Sequence, residues 1–497
     1  MKGLIWDEQI ECMPFSQLQK LSETKFREAR VMERAARSAL YREKWRAAGV
    51  VPEAVRTYAD LRQLPYLTGS ELREAQVRYH PDELVCSDHV CVWISTSGTT
   101  GTPKWIPVGE GDIANFRESI RRLMALIIGH MEDWSMLYLG GSAPFISESG
   151  GYIILTNRML DDARAEFAFV AMPEAFDALN FARIAHLEGV FLAPSLAVLI
   201  AEGVTKQAAA GAREQFRKER SPRNLLAMLA TRVMRIKAKN VFNFRWGAFG
   251  GEPVDPYRGA IVDHYGLQPS SAYGATELLY TCPVAECMAH KGMHVYMDVC
   301  LPEIIPQEEL EREQTDASYV PQAVPMWEAI TGLTGELVLT TFADALPLVR
   351  YRMSDLVEVV STEPCPCGRT HPRIKVLYRS DDIVNMGLIR FSIYLLKQKL
   401  DEVGVHGRLA KWQLRITREG VKPKALLLVE PQGEVAEEAF VKEIADKIDV
   451  LEGVRQAWEN GLIAQPEVRL VEEVVEERTT LGKVKLAIYE DVYFKEA

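Results

Sequence analysis

Hydrophobic positions along the chain fall into distinct rhythms. From about residue 15 to 80 they recur at helical spacing, and KFREARVMERAARSALYREKWRAAG is dense in helix formers before Gly49 closes it. From about 90 to 300 short apolar runs (HVCVWIS, SMLYLGG, GVFLAP, FRWGAFGG) alternate with amphipathic stretches such as DPYRGAIVDHYG. That alternation predicts strands and helices in α/β layers. The segment from about 301 to 333, containing IIPQEELEREQTDASYVPQAVPMWEAITG, is rich in acid, Gln and Pro and reads as a surface loop or insertion. Strand-like sequence resumes at GELVLTTF and LVRYRMSDLVEVV. Beyond it, WQLRIT, KALLLVE and EVRLVEE alternate with one amphipathic helix, VAEEAFVKEIADKID. The pattern predicts a large N-terminal α/β domain over 1–379 and a small α+β C-terminal domain over 380–497.

Composition agrees with that picture and narrows the partners. At 497 residues, 47% hydrophobic and 26% charged, the chain has material for two or three packed domains. A net charge of -11 weighs against nucleic acid, which favours a basic face. No stretch approaches the roughly 18 to 20 apolar residues that span a bilayer; Leu123–Gly129 is cut short by His130, Glu132 and Asp133. The start, MKGLIWDEQIE, meets acid early and lacks a cleavage pattern, so a soluble cytoplasmic protein without a membrane partner is expected. Eight cysteines are few for this length and point to thiols or metal rather than a disulfide framework.

The densest chemical signal is Ser95–Lys104, STSGTTGTPK, directly after the strand-like VCVWI. Small residues let backbone N–H groups approach phosphate oxygens, hydroxyls (Ser95, Thr96, Ser97, Thr99, Thr100) add donors beside Gly98, and Lys104 adds a mobile positive charge. The spacing is not that of a Walker loop. A flexible Ser/Thr/Gly linker is the plain alternative, which the preceding strand disfavours.

This segment resembles the signature loop of the adenylate-forming superfamily, to which acyl-CoA synthetases, peptide-synthetase adenylation domains and luciferases belong. Four further motifs follow in the superfamily's order: GGEP at Gly250–Pro253, YGATE at Tyr273–Glu277, YRMSD at Tyr351–Asp355 with YRSDD at Tyr378–Asp382, and TTLGKVK at Thr479–Lys485. The resemblance implies that a carboxylate attacks the α-phosphate of ATP, and that a thiol then attacks the acyl-AMP. It implies catalytic roles for Glu277 (Mg²⁺), Thr276 (α-phosphate), Lys104 (pyrophosphate) and Lys483 (the adenylation lysine, preferred over its neighbour Lys485). Nucleotide contacts would come from Gly251, Glu252 and Pro253, from Ser271, Ala272, Tyr273 and Gly274, and from Asp355 and Arg379. A carboxylate at Asp355 suits two ribose hydroxyls because it only accepts. Asp381 aligns with the superfamily's hinge. The chain departs from the usual pattern where Met353-Ser354 replaces Thr-Gly and Tyr378 replaces Gly, which bears on local backbone geometry.

Two later segments, AECMAHKGMHVYMD and CPCGRTHPRI, are similar to those of phenylacetate-CoA ligases and related aryl-CoA ligases. Cys287, His294, Cys365 and Cys367 form a Cys₃His set suited to structural Zn²⁺, with His290 and His371 as alternative ligands and bare thiols near a turn as the plain reading. The acyl pocket is expected between the GGEP strand and Tyr138–Tyr152, with Tyr138, Gly140, Gly141, Phe145 and Gly150 lining it. That segment differs from the phenylacetate enzymes, so another aromatic acid is open; a glycine-rich turn packing on the sheet is the bland alternative. The basic stretch Lys206–Arg223 reads as a solvated helix face rather than a CoA site.

The function expected is an AMP-forming aryl- or arylacetate–CoA ligase using ATP, Mg²⁺ and CoA, as a homodimer by resemblance. The rivals are an adenylating enzyme with another acceptor (a carrier-protein loader, or a synthetase that adenylylates a coenzyme) and a non-catalytic nucleotide binder. Only 12 residues follow Lys485, so a fused carrier domain is not expected.

Overall fold

The computed structural model describes the chain except for residues 1–3, 96–103, 129–134, 140–165, 171–178, 180–181, 223, 226–227, 230–235, 252, 279–283, 317, 380–382, 387–388, 405–407, 420–421, 450–453, 460–462, 478–484 and 491–497. It divides into two compact units, Met1–Val376 and Leu377–Ala497. Among the described residues no helix is long and apolar enough to cross a membrane.

In the first unit β1 (Val90–Ser95) and β2 (Trp105–Gly109) make an antiparallel two-stranded sheet that places Ser95 opposite Trp105. A twelve-stranded sheet carries the rest. Its strands are β3 (Ser135–Leu139), β4 (Glu166–Val170), β5 (Gly189–Leu192), β6 (Trp246–Phe249), β7 (Pro269–Tyr273), β8 (Val284–Glu286), β9 (Met293–Val295), β10 (Cys300–Pro306), β11 (Val324–Pro325), β12 (Thr334–Thr341), β13 (Tyr351–Ser361) and β14 (Arg373–Arg379). Their spatial order is β11-β10-β12-β13-β14-β9-β8-β7-β6-β5-β3-β4. The block β4-β3-β5-β6-β7 is parallel throughout. Pairing turns antiparallel at β7–β8 and stays so through β9, whose partner is β14.

The parallel block is apolar on both faces, as parallel strands must be when helices cover each side. Phe249 packs with Leu196, Ala201, Tyr257 and Ile261 from the helices Pro194–Lys218 and Asp255–Tyr265. The preceding residue, Ala248, joins Phe116, Met124 and Ile127 of the helix Glu110–Ile127. Successive strand residues point to opposite faces, so helices lie on both sides. The early helical region is several short helices rather than one long run. Arg30 (φ 52°) breaks the register after Leu18–Glu28, and Ser38 caps Ala39–Ala47 by accepting the Leu40 N–H. These helices cover the antiparallel half, with Leu18, Phe26 and Tyr41 in one core with Leu301, Leu337 and Tyr351.

One expectation is corrected here. The stretch expected as a loop from about 301 begins as the core strand β10, with Ile304 and Ile305 fully buried, and continues as the helix Gln307–Thr315. Acid misled the expectation: Glu303 is buried against Arg350, while the glutamates of the helix lie largely on its exposed side.

The second unit is α+β. β15 (Ile383–Met386) and β16 (Ile389–Ser392) form a short antiparallel pair. β17 (Leu409–Glu419) and β18 (Lys422–Pro431) also pair antiparallel, while β19 (Glu467–Leu470) and β20 (Ala487–Tyr489) add parallel at the edges. The helices Ile393–Gly404 and Glu437–Asp449 bury Leu396, Leu400, Phe440 and Ile444 against Leu414, Ile416, Leu427 and Val429.

Candidate functional site

Among the described residues, Lys104 and parts of GGEP, YGATE and YRMSD meet near the carboxyl ends of β6 and β7, where open α/β sheets hold their ligands. The turn after β6 requires its glycines. A Cβ on Gly250 would stand 2.5 Å from the Ala272 carbonyl oxygen of β7, and Gly251 takes φ 82°. Pro253 follows and leads into the helix Asp255–Tyr265. Beside this turn β7 carries Ser271, Ala272 and Tyr273, and Gly274 follows the strand. The Ser271 N–H donates to the buried Glu286 carboxylate at 2.9 Å, and Arg258 holds that carboxylate from the other side. The strand is thus fixed by its own neighbours.

Beyond β7 the chain turns and buries Ala275, Thr276 and Glu277. Glu277 forms an ion pair with Lys104, and its Oε1 also accepts the Tyr351 hydroxyl at 3.0 Å. The Lys104 ammonium in turn donates to the Tyr351 oxygen at 2.9 Å. Burial pushes the Glu277 carboxyl up most strongly of any single cause; the Lys104 charge, with the hydrogen bonds from Lys104, the backbone and Tyr351, outweighs it and holds the group below its ordinary value. Thr276 is 1% exposed, and its hydroxyl has no hydrogen-bond partner among the described residues. Most buried hydroxyls have a partner, so this one has capacity for a bond that no described residue supplies.

β13 enters the site from the antiparallel half. Asp355, 1% exposed, accepts the Tyr273 hydroxyl at 2.6 Å, so YGATE and YRMSD are joined directly. Ser354 adopts φ 58°, in the left-handed region that favours glycine, and its N–H is taken by Glu336 at 3.1 Å. The departure from Thr-Gly therefore keeps the backbone turn that glycine would make, with Glu336 as an added hold. Tyr351 lay inside a quoted motif without a role; its hydroxyl links Lys104 to Glu277. No spacing rule reveals such a bridge, because its partners lie 247 and 74 residues away.

A second cluster lies at the β9–β14 pair, where His294 stands opposite Arg373. Cys287 precedes β9 and Cys365 and Cys367 precede β14, so the strand pairing brings all four residues together. Their ligand atoms lie within 4.8 Å of one another and all four residues are buried. Cys287 Sγ is 3.7 Å from Cys365 Sγ, and Cys367 Sγ is 3.5 Å from His294 Nε2. A turn through Gly368 (φ 99°) lets Cys365 and Cys367 face one centre, closed by the Cys365 N–H to the Arg369 carbonyl at 2.8 Å. Bonding among the thiols pushes Cys287 above the ordinary thiol range and Cys365 and Cys367 below it. His371 is engaged elsewhere, with Nδ1 accepting from Met297 and Nε2 3.0 Å from the Ile10 carbonyl. His290 lies 3.8 Å from Glu286, outside the cluster.

The remaining candidates divide as follows. Ser95 ends β1, Tyr138 lies in β3 and Arg379 ends β14, each described in its backbone alone. Thr96, Ser97, Gly98, Thr99, Thr100, Gly140, Gly141, Phe145, Gly150, Glu252, Asp381 and Lys483 lie outside the described residues.

No family model matches the chain. It is similar to the phenylacetate-coenzyme A ligase of Thermus thermophilus, 25% identical over 462 residues, covering 90% of this chain and 87% of that protein. The enzyme of the same name from Escherichia coli is 24% identical over 405 residues, 77% of this chain and 75% of that one. Among solved structures, a 2-hydroxyisobutyryl-CoA ligase in the postadenylation state with R3-HIB-AMP superposes with a TM-score of 0.73 at 20% identity, covering 99% of this chain and 93% of that one. An acyl acid amido synthetase in complex with 2,4-DB gives 0.63 at 14%, covering 94% and 90%. These two structures share the fold.

Proposed function

We propose that this chain, a phenylacetate-CoA-ligase-like member of the adenylate-forming superfamily, joins a carboxylic acid to coenzyme A through an acyl-AMP, at the expense of ATP. The observation that carries the proposal is the buried Lys104–Tyr351–Glu277 cluster beside the unpartnered Thr276 hydroxyl at the ends of the parallel strands.

In the first half-reaction an acid oxygen forms a bond to the α-phosphorus and the bond to the pyrophosphate oxygen breaks. Charge builds on the phosphates, and fixed cations and donors stabilise it best in a buried site. Lys104 would hold the departing pyrophosphate, and the Thr276 hydroxyl would donate to an α-phosphate oxygen. Glu277, already ionised, would hold Mg²⁺, which supplies charge neutralisation on the phosphates. Asp355 would accept the ribose hydroxyls while Tyr273, anchored to it, would pack at the adenine beside Gly251, Glu252 and Pro253. Ser95–Thr100 and Arg379 would complete the nucleotide contacts, Lys483 would serve the carboxylate end, and Asp381 would be the hinge of the second unit. In the second half-reaction the CoA sulfur bonds to the acyl carbon and AMP leaves.

The acid is proposed to be aryl or arylacetic, on the likeness to phenylacetate-CoA ligases, with Tyr138, Gly140, Gly141, Phe145 and Gly150 forming its pocket. The test is to incubate the protein with ATP, Mg²⁺, CoA and a panel of aromatic and aliphatic acids, and to follow AMP and acyl-CoA by mass spectrometry. Aromatic acids should give both products. AMP without thioester would transfer the proposal to another acceptor, and no turnover would overturn it.

We further propose that Cys287, His294, Cys365 and Cys367 hold structural Zn²⁺. Zinc–sulfur bonds of about 2.3 Å in a tetrahedron place two sulfurs about 3.8 Å apart, and Cys287 and Cys365 are 3.7 Å apart. Three buried thiols with their sulfurs and the His294 nitrogen within 4.8 Å of one another cannot all ionise without a cation. Protein purified without chelator should carry about one equivalent of zinc; a metal-free preparation of full stability would reject the assignment.

A further inference from the structure

The helix Gly69–Arg78 reaches the phosphate-side lysine at both of its ends. At its start, Thr68 and Glu71 form a reciprocal capping box, and the preceding Leu67 pairs with β13, its N–H bonded to the Arg350 carbonyl at 3.0 Å and its carbonyl to the Arg352 N–H at 2.8 Å. Gly69 therefore lies against Tyr351 and Lys104: a Cβ there would stand 3.2 Å from the Tyr351 oxygen and 3.4 Å from Lys104 Nζ. Toward its end, Gln76 turns its amide to the backbone of Trp105, the residue after Lys104. The Trp105 N–H donates to Gln76 Oε1 at 3.0 Å, and Gln76 Nε2 donates to the Trp105 carbonyl.

β1 and β2 form a sheet of two strands, so among the described residues β2 has one edge without a strand beside it. Gln76 supplies there the donor and the acceptor that a third strand would supply. Trp105 is held from both sides, by the register Ser95–Trp105 within the hairpin and by Gln76 from without. We infer that Gln76 is a positioning residue for ATP activation: by clamping Trp105 it fixes the exit of the Ser95–Lys104 loop and hence the reach of Lys104. Gly69 keeps the space into which the ammonium and the Tyr351 hydroxyl fit. Neither residue touches the reacting atoms. The inference rests on the adenylating function proposed above.

Pyrophosphate is present only in the first half-reaction, so this clamp serves that half alone. The experiment compares Gln76→Met, of similar volume without the amide, and Gly69→Ala with the unaltered protein. It uses ATP–pyrophosphate exchange, thioester formation from supplied acyl-adenylate, and thermal unfolding. Exchange should fall about 10-fold in kcat/KM for each variant, the scale of a displaced charged group. Thioester formation should stay within about twofold, since no new barrier is placed there. Unchanged exchange in Gln76→Met would overturn the inference, as would an equal loss in both half-reactions, the signature of general destabilisation. Absence of exchange by the unaltered protein with every acid would remove the adenylating function itself, and the clamp with it.

Discussion

Two buried ion pairs stand on either side of a single peptide bond, and they are built to opposite ends. Arg350 carries the first. Its Nε and Nη2 bond both oxygens of Glu303, Nη1 takes the carbonyls of Arg62 and Leu64 at 2.8 and 2.7 Å, and Nη2 also reaches the Tyr66 hydroxyl at 2.9 Å. Every guanidinium donor is used. The next residue, Tyr351, serves the second pair, Lys104–Glu277: its hydroxyl and the ammonium both meet Glu277 Oε1, near the Thr276 hydroxyl that no described residue satisfies. A guanidinium with every donor used acts as scaffold. A lysine ammonium is a point charge on a flexible stem, and on the proposed function it would exchange its partners for phosphate. The kind of cation, rather than burial, separates the two.

The sharpest way to break that contrast is to remove one partner of each pair. Glu277→Gln should lower ATP–pyrophosphate exchange by about 10³-fold while shifting the unfolding midpoint little. Arg350→Met should do the reverse: it leaves Glu303 buried and unpaired, and should cost about 3 kcal/mol in denaturant unfolding. A large stability loss in the first variant, or a stable inactive protein in the second, would erase the distinction. Tyr351→Phe tests the link between them. Losing one hydroxyl that bonds two charged groups should raise KM for ATP about 10-fold, with stability changed by less than about 1.5 kcal/mol. A milder test lies in pH. Lys104 holds Glu277 below its ordinary value, so the pair is intact above the usual carboxylate range and is lost only as pH falls through the lowered value. ATP affinity measured by calorimetry should show no titration in the usual carboxylate range, and Gln76→Met should leave that profile unchanged. The smallest effect belongs to Ser354→Gly, which relieves a left-handed residue at φ 58° and should stabilise by about 0.5 kcal/mol in thermal unfolding.

Much of this was legible in the sequence, for identifiable reasons. Motifs such as YGATE and YRMSD mark short segments that the resemblance alone ties to phosphate and ribose, and the structure joins them through Tyr273 and Asp355. The Cys/His set was legible because sulfur and imidazole are few in this chain, and a strand pairing then brought them into contact. Periodicity found β1, β5, β6, β12 and β17, whose apolar runs are long and bounded by turns. It failed at β10, where the buried Glu303 and the acids that follow the strand mimic a loop until Arg350, 47 residues on, neutralises the glutamate. Gln76 and Gly69 were invisible for a similar reason. Their significance is a distance to Trp105, Lys104 and Tyr351, which no local pattern encodes.

The seam at β7 carries one more consequence. This strand bonds to a parallel neighbour through Pro269–Ser271 and to an antiparallel neighbour through Ala272 and Tyr273. The β1–β2 hairpin stands as a separate pair. Amides of β7, inside the twelve-stranded sheet, should exchange more slowly than those of the two-stranded hairpin, which has fewer neighbours to break. On the proposed function, β7 would be a slow-exchanging floor for the nucleoside and the hairpin a faster-exchanging flap beside the phosphates. A designer seeking a faster or slower enzyme has reason to vary the flap and leave the floor alone.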